Sequence, residues 1–256
     1  MSETELEGPS RRELERQWLR AKLAAAIVVF GLAAAVVGWS WVTLQDPAKV
    51  PLQLVRIEGE LRYVDHDVLR AELNHAIEGQ SFFSVNLRAV QRAAEATPWV
   101  YSANIRRVWP KQLYVRVTEQ VPYARWGEAE VLNQHGERFR PGNDKGQAGL
   151  PRLFGPDGSE REVMRTFEDV KRRLETLGLK LVRLEMDPRR SWTLYFEGGL
   201  VARLGNSDFE TRLSRLMLAY PVLVDDGPPL ERIDMRYANG VAVKRQVVEE
   251  GVGGKG

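Results

Sequence analysis

Leu23 to Leu44 reads LAAAIVVFGLAAAVVGWSWVTL, a run without a single charged side chain. At 1.5 Å per residue an α-helix of this length spans roughly 33 Å, and a bilayer's hydrocarbon core is about 30 Å thick. A helix buried in a globular core is usually shorter and carries polar positions. Ala33-Ala34-Ala35 could mimic a signal cleavage site. A signal peptide's apolar region is only about 7–15 residues long, however, and ends in small residues. This run is longer and ends with Trp39 and Trp41, side chains suited to a membrane interface, with Trp18 as a counterpart at the other end. The run therefore predicts an uncleaved transmembrane helix over residues 23–44. Gly31 with Ala35, and Ala34 with Gly38, repeat small residues at the spacing that permits close helix approach in lipid.

Flanking charge sets the orientation. Arg11, Arg12, Arg16, Arg20 and Lys22 precede the span, and only Lys49 and Arg56 lie close after it. The excess of Lys and Arg puts residues 1–22 in the cytoplasm and everything from about Asp46 onward outside it. A tail of that length is too short for a folded output domain. The whole chain is 28% charged and 43% apolar, so the exported part has the composition of a folded protein. A net charge of +2, with basic residues interleaved among Asp and Glu, gives no footprint for nucleic acid. The absence of cysteine removes disulfides, thiolate nucleophiles and cysteine metal sites.

Residues 50–121 read as strand, helix, helix, strand, strand. Leu54 to Ile57 is β-rich and stops at Gly59. Val68, Leu69, Leu73, Ala76 and Ile77 line one helical face, with Asp65 as a candidate cap, a Val64–Leu69 staple and Gly79 at the end. A second helix carries Leu87, Val90 and Ala94, capped by Asn86 and stopped by Pro98. Two alternating runs, around Tyr101-Ala103-Ile105 and Leu113-Val115-Val117, flank Trp109-Pro110-Lys111-Gln112 as a hairpin. This β-α-α-β-β order resembles a POTRA domain. The phrases Thr97-Pro98-Trp99-Val100, Arg107-Val108-Trp109-Pro110 and Glu119-Gln120-Val121-Pro122-Tyr123-Ala124 resemble the POTRA of the FtsQ/DivIB family of bacterial cell division proteins.

Residues 122–245 form a different unit, not a repeat of the first. Val163, Phe167, Val170, Leu174 and Leu177 make one helical stripe, with a capping box Ser159-x-x-Glu162 and a stop at Gly178. Phe209, Leu213, Leu216, Met217 and Tyr220 make another, opened by Ser207-x-x-Glu210 and predicted to end before Pro221. Strand-like runs cover 181–186, 192–196, 201–204, 233–237 and 241–243. Asn239-Gly240 predicts a two-residue hairpin between the last two. The fold class is thus α+β, with one transmembrane helix, a POTRA domain and a C-terminal α+β domain built on a mainly antiparallel sheet. Residues 246–256 are expected to be a disordered tail.

The chain carries no pattern for chemistry. No serine has Lys three residues on, as a penicillin-binding transpeptidase requires, and a sortase would need Cys. His66, His75 and His135 make no pair at helical ligand spacing. Acidic pairs are inevitable among 35 carboxylates and point to no site. No enzyme activity, cofactor or metal is expected.

Leu150-Pro151-Arg152-Leu153-Phe154-Gly155-Pro156, Arg189-Arg190-Ser191-Trp192, Leu204-Gly205 and the run from Ile233 to Val243 extend the resemblance to nearly the whole chain, of the proteobacterial FtsQ type. The resemblance implies a non-catalytic scaffold of the inner membrane at the division septum. Its distal domain would bind the bitopic coiled-coil proteins FtsB and FtsL in the periplasm, and the chain would link them to septal peptidoglycan synthesis proteins. The implied partner contacts fall on Arg189, Tyr237, Asn239, Gly240 and Arg245, while Val241 and Val243 belong to the last strand, which, left at a sheet edge, would offer unpaired main-chain groups to a partner strand. At Arg245 the chain departs from the family, which often carries Trp near this place. The alternative reading is an envelope POTRA protein that passes substrates along by strand addition.

Overall fold

The structure is a computed structural model that describes residues 11–46, 48, 52, 54–237 and 240–246, with the side chains of 11–17, 19, 21, 45, 54 and 55 left out. Helix α1 (Arg11–Gln45) contains a stretch, Lys22–Leu44, long and apolar enough to cross a membrane, with mean hydropathy 2.2 and none of it buried within the chain. The remainder is α+β. By compactness the chain divides into two units: residues 1–58, 67–94 and 103–117 make one, and 59–66, 95–102 and 118–256 the other.

The first contains β1 (Leu54–Glu58) and most of α2 (His66–Ile77), α3 (Leu87–Ala96), β2 (Val100–Val108) and β3 (Gln112–Glu119), a few of whose terminal residues, Glu119 among them, fall in the second. The small sheet has order β1-β3-β2, with β1 parallel to β3. Leu69, Leu73, Val90 and Ala94 on the helices and Leu113 and Val115 on β3 are buried, as their periodicity predicts. Asn86 caps α3, its side-chain oxygen accepting the N–H of Arg88 at 3.1 Å and of Ala89 at 3.2 Å. From β2 the guanidinium of Arg107 donates to the carbonyls of Phe82 and Val85, pinning the connection between the two helices.

The second unit is built on nine strands: β4 (Pro122–Trp126), β5 (Glu130–Asn133), β6 (Arg138–Phe139), β7 (Arg152–Phe154), β8 (Leu181–Met186), β9 (Trp192–Phe196), β10 (Val201–Gly205), β11 (Leu230–Asp234) and β12 (Ala242–Arg245). Their order is β12-β11-β10-β9-β8-β7-β4-β5-β6. The sheet is mixed but mainly antiparallel, with parallel pairings at β4/β7, β7/β8 and β10/β11. Helices α4 (Glu160–Glu175) and α5 (Phe209–Asp225) cover one face. Val163, Phe167, Val170, Leu174, Leu213 and Leu216 form one core with Leu153, Leu184, Leu194, Ala202 and Ile233.

Three local expectations fail. Neither capping box forms: Ser159 Oγ donates to Pro156 O at 2.5 Å, while Glu162 pairs with Arg190 and Glu210 with Arg173. The two glutamates meant to complete the boxes find ionic partners elsewhere in the fold instead. Helix α5 does not stop before Pro221 but runs through it to Asp225. An interior proline removes one helical hydrogen bond. Leu223 packs on the core, and Arg245 donates to Leu223 O at 3.0 Å, which holds the turn beyond the proline. The two-residue hairpin is also absent. Pairing of β11 with β12 closes at Asp234 and Ala242, so residues 235–241 form the connection, longer than a two-residue turn. Asp234 ends β11 by taking the N–H of Arg236 at 3.0 Å.

Within the second unit, Glu119 is the hub of the segment leading into α2. Its carboxylate accepts the N–H groups of Arg62, Tyr63 and Val64 at 2.9, 2.5 and 2.6 Å. Tyr63 then packs on Trp99, centroids 4.6 Å apart, and Trp99 on Phe139 at 5.2 Å. Removing an acceptor of consecutive backbone donors leaves them unsatisfied, at about 1–3 kcal/mol. Glu119→Ala is expected to lower the denaturant midpoint of the full chain by that amount, and Glu119→Gln by less. A midpoint unchanged in both variants contradicts this role.

Candidate partner-binding edge

Strand β12 is the terminal strand at one end of the larger sheet. Its free side follows from the ladder. Met235 N donates to Arg203 O at 2.8 Å, so Met235 and Ile233 turn their main-chain groups toward β10, and Arg232 and Asp234 turn theirs toward β12. Arg232 and Asp234 lie opposite Lys244 and Ala242. Gln246 N donating to Pro229 O at 2.8 Å gives the same phase. Lys244 and Ala242 therefore close the ladder, and Val243 and Arg245 point N–H and C=O away from the sheet.

The side chains sort differently. Val241 and Val243 pack against the core, so their role on the edge is through the main chain. Arg245 is 23% exposed, and its guanidinium donates to Pro228 O at 2.8 Å and Leu223 O at 3.0 Å. A cation at the last carbonyls of a helix is favourably placed for the helix dipole. Its head group is thus engaged within the fold, and its main chain is what faces out.

Tyr237 is 59% exposed, and the loop that carries it is held from behind by α5. Arg212 donates to Leu204 O at 2.6 Å and Arg236 O at 3.3 Å, and Arg215 to Tyr237 O at 3.3 Å. Gly205, with φ +80°, lets Arg212 approach where a Cβ would meet its Nη1 at 2.5 Å. Arg189 lies in the exposed β8–β9 turn, its N–H donating to Asp187 and its carbonyl accepting from Asn206. Met186 pairs with Trp192, Trp192 with Gly205, and Arg203 with Asp234. Arg189, Tyr237, Gly240 and Val241 therefore emerge at one end of the sheet. Asn239 lies outside the described residues. The clamp residues Arg212 and Arg215 were not expected from sequence. Their place on α5, each one residue before a buried leucine, Leu213 and Leu216, was the available signal.

The comparisons with known proteins agree with this architecture. Residues 124–236 match the family described as "Cell division protein FtsQ/DivIB, C-terminal". Residues 50–120 match "POTRA domain, FtsQ-type". The chain is 37% identical over 200 residues to "Cell division protein FtsQ" of Shewanella oneidensis, covering 78% of this chain and 76% of that one. It is 36% identical over 231 residues to its counterpart in Xanthomonas campestris, covering 90% and 80%. Against that of Vibrio cholerae it is 30% identical over 224 residues, covering 86% and 84%.

A POTRA region joined to a mixed sheet, behind one N-terminal apolar helix, defines the class of protein. This chain belongs to the FtsQ/DivIB family of cell division proteins, which is non-catalytic.

Asp234, 13% exposed in its side chain, anchors the start of the 235–241 connection. The hydrogen bond from Arg236 holds its carboxyl below the usual carboxylate range, against the opposing effect of burial. A carboxyl depressed in the folded state stabilises above its unfolded value, about 3.9, and loses that contribution as pH falls through the lower folded value. The stability gap between the parent and Asp234→Asn is expected to be constant above about pH 5 and to shrink below about pH 4. Unfolding midpoints across pH measure it, and a gap that does not narrow in acid contradicts it.

Proposed function

We propose that this chain is a bitopic scaffold of the division machinery. Residues 1–22 lie in the cytoplasm and residues 23–44 cross the inner membrane. A POTRA domain (50–121) and a partner-binding domain (122–245) stand in the periplasm at the septum. The basic flank before the apolar run and the sparse positive charge after it support the orientation. The chain binds FtsB/FtsL-type bitopic coiled-coil partners and connects them to septal peptidoglycan synthesis proteins.

One observation carries the binding reading. The terminal strand β12 leaves the main chain of Val243 and Arg245 unpaired among the described residues, with exposed Tyr237 at the head of the strand. An unpaired edge accepts a partner strand through main-chain bonds, and neighbouring side chains set specificity. Tyr237 supplies a large amphipathic contact, Arg189 a cation at the same end, and Asn239, Gly240 and Val241 the approach to the strand. Cell division membership, and the absence of any catalytic pattern in the sequence, favour a binding role.

Two experiments test this. A reporter active only outside the cytoplasm is expected to work at the C-terminus and fail at the N-terminus; the opposite pattern removes the reading. Tyr237→Ala is expected to weaken binding of FtsB/FtsL-type partners by about 2 kcal/mol or more, roughly thirtyfold. Val243→Pro deletes an outward-pointing donor, so it is expected to weaken binding while leaving thermal unfolding nearly unchanged. Arg172→Ala, on the solvent side of α4, is expected to alter neither. Folded Tyr237 and Val243 variants that bind like the parent contradict the assignment. Indiscriminate binding of unfolded chains by the parent would favour the chaperone-like alternative.

A further inference from the structure

The larger sheet has a second face, which α4 and α5 do not cover. Along each central strand the residues between the core positions point to it. One cross-strand register links Arg125 on β4 to Arg152 on β7, Arg152 to Arg183 on β8, Arg183 to Tyr195 on β9, Tyr195 to Val201 on β10, and Val201 to Arg232 on β11. Their strand neighbours Ala124, Leu153, Leu184, Leu194, Ala202 and Ile233 lie in the core, which puts this row on the open side. Side-chain contacts agree: Arg183 lies 4.4 Å over the Phe154 ring and 4.8 Å over the Tyr195 ring.

The row is cationic and poorly compensated. Arg183 pairs with Glu185, but Arg125, Arg152 and Arg232 have no ion-pair partner among the described residues. Like charges on directly opposed cross-strand positions destabilise a sheet. Here three arginines follow one another across β4, β7 and β8, each left partly or fully exposed. Among the described residues only Glu185, at Arg183, offsets this arrangement, so an external anion is the natural complement.

The geometry selects the kind of anion. Strands lie about 4.8 Å apart, and an α-helix rises about 5.4 Å per turn. Carboxylates on successive turns of a helix laid across the strands would therefore meet successive arginines, whose planar forks suit bidentate pairing. Tyr195 and Val201 leave an uncharged centre for an apolar side chain. A flat anionic membrane fits less well, because sheet twist turns the row about its own axis by roughly 20° per strand. Glu185 and Asp234, in the adjacent register, would also repel a uniformly anionic surface.

We propose that this open face is a second docking surface, which takes an acidic helical segment of a partner protein across β4, β7, β8, β9, β10 and β11. Its carboxylates lie on Arg125, Arg152, Arg183 and Arg232. The surface is separate from the β12 edge and does not require it.

The test uses the full chain in phosphatidylcholine nanodiscs. The probe is a synthetic helical peptide with one stripe of glutamates, one per turn, and a central leucine. Its control has the same composition with the glutamates scattered around the helix. The striped peptide is expected to bind more tightly than the scattered one, and more weakly as salt rises. Arg125→Glu with Arg152→Glu is expected to lower its affinity at least tenfold. Arg165→Glu, on the exposed side of α4, is expected to leave it unchanged. Should the double reversal unfold the domain, Arg152→Gln with Arg232→Gln is expected to give a loss of several-fold. Equal binding of the two peptides, or parental binding by folded variants, overturns the proposal. So does capture of phosphatidylglycerol vesicles, lost in the same variants, without binding of the peptide. The Arg125 and Arg152 changes lie at the far end of the row from β12, so partner binding at the edge is expected to survive them. The two readings can therefore fail separately.

Discussion

A strand with a neighbour on only one side leaves alternate main-chain groups without partners, and the second unit is organised around such a strand. β11 divides its hydrogen bonds between β10 and β12, which fixes the phase of β12 and turns Val243 and Arg245 outward. The surrounding contacts keep that edge in place. Arg245 ties β12 to the end of α5, Asp234 and Arg236 end β11, and Arg212 and Arg215 hold the loop bearing Tyr237. Each is a guanidinium on a carbonyl or carboxylate, a rigid contact that fixes a loop lacking regular structure.

The two ends of the sheet differ in a way that fits this picture. At the opposite end β6 has only two residues, and Arg138 on it is ringed by Glu130, Asp157 and Glu160 at 3.5, 2.9 and 3.0 Å. A short edge with a charged side chain resists pairing with another chain. The β12 end has two valines facing the core and an exposed tyrosine beside it. The two faces differ as well, one closed by helices over an apolar core and one carrying an arginine row.

Much of this was legible in the sequence, where the signal was periodic. The charge-free run to Leu44, the stripes of α2 to α5, and the runs at Leu181–Met186 and Trp192–Phe196 follow from burial on one face. Strands β4 to β7 were less legible. They are short, and β6 and β7 have two and three residues, below the length at which alternation declares itself. The capping boxes and the stop at Pro221 failed because local rules compete with ionic and packing partners distant in sequence. Asn239-Gly240 misled for a related reason: the Asp234–Arg236 interaction ends the strand before the dipeptide is reached. The edge strand was foreseen near its true place. The arginine row became visible only once register placed residues far apart in sequence side by side.

Amide hydrogen exchange at single-residue resolution along β12, with and without an FtsB/FtsL-type partner, tests the central claim most directly. Strand addition at this edge predicts new protection at the amides of Val243 and Arg245, with little change at Ala242 and Lys244, which are already bonded to β11. Uniform protection along the strand, or none at Val243 and Arg245 under saturating partner, contradicts it.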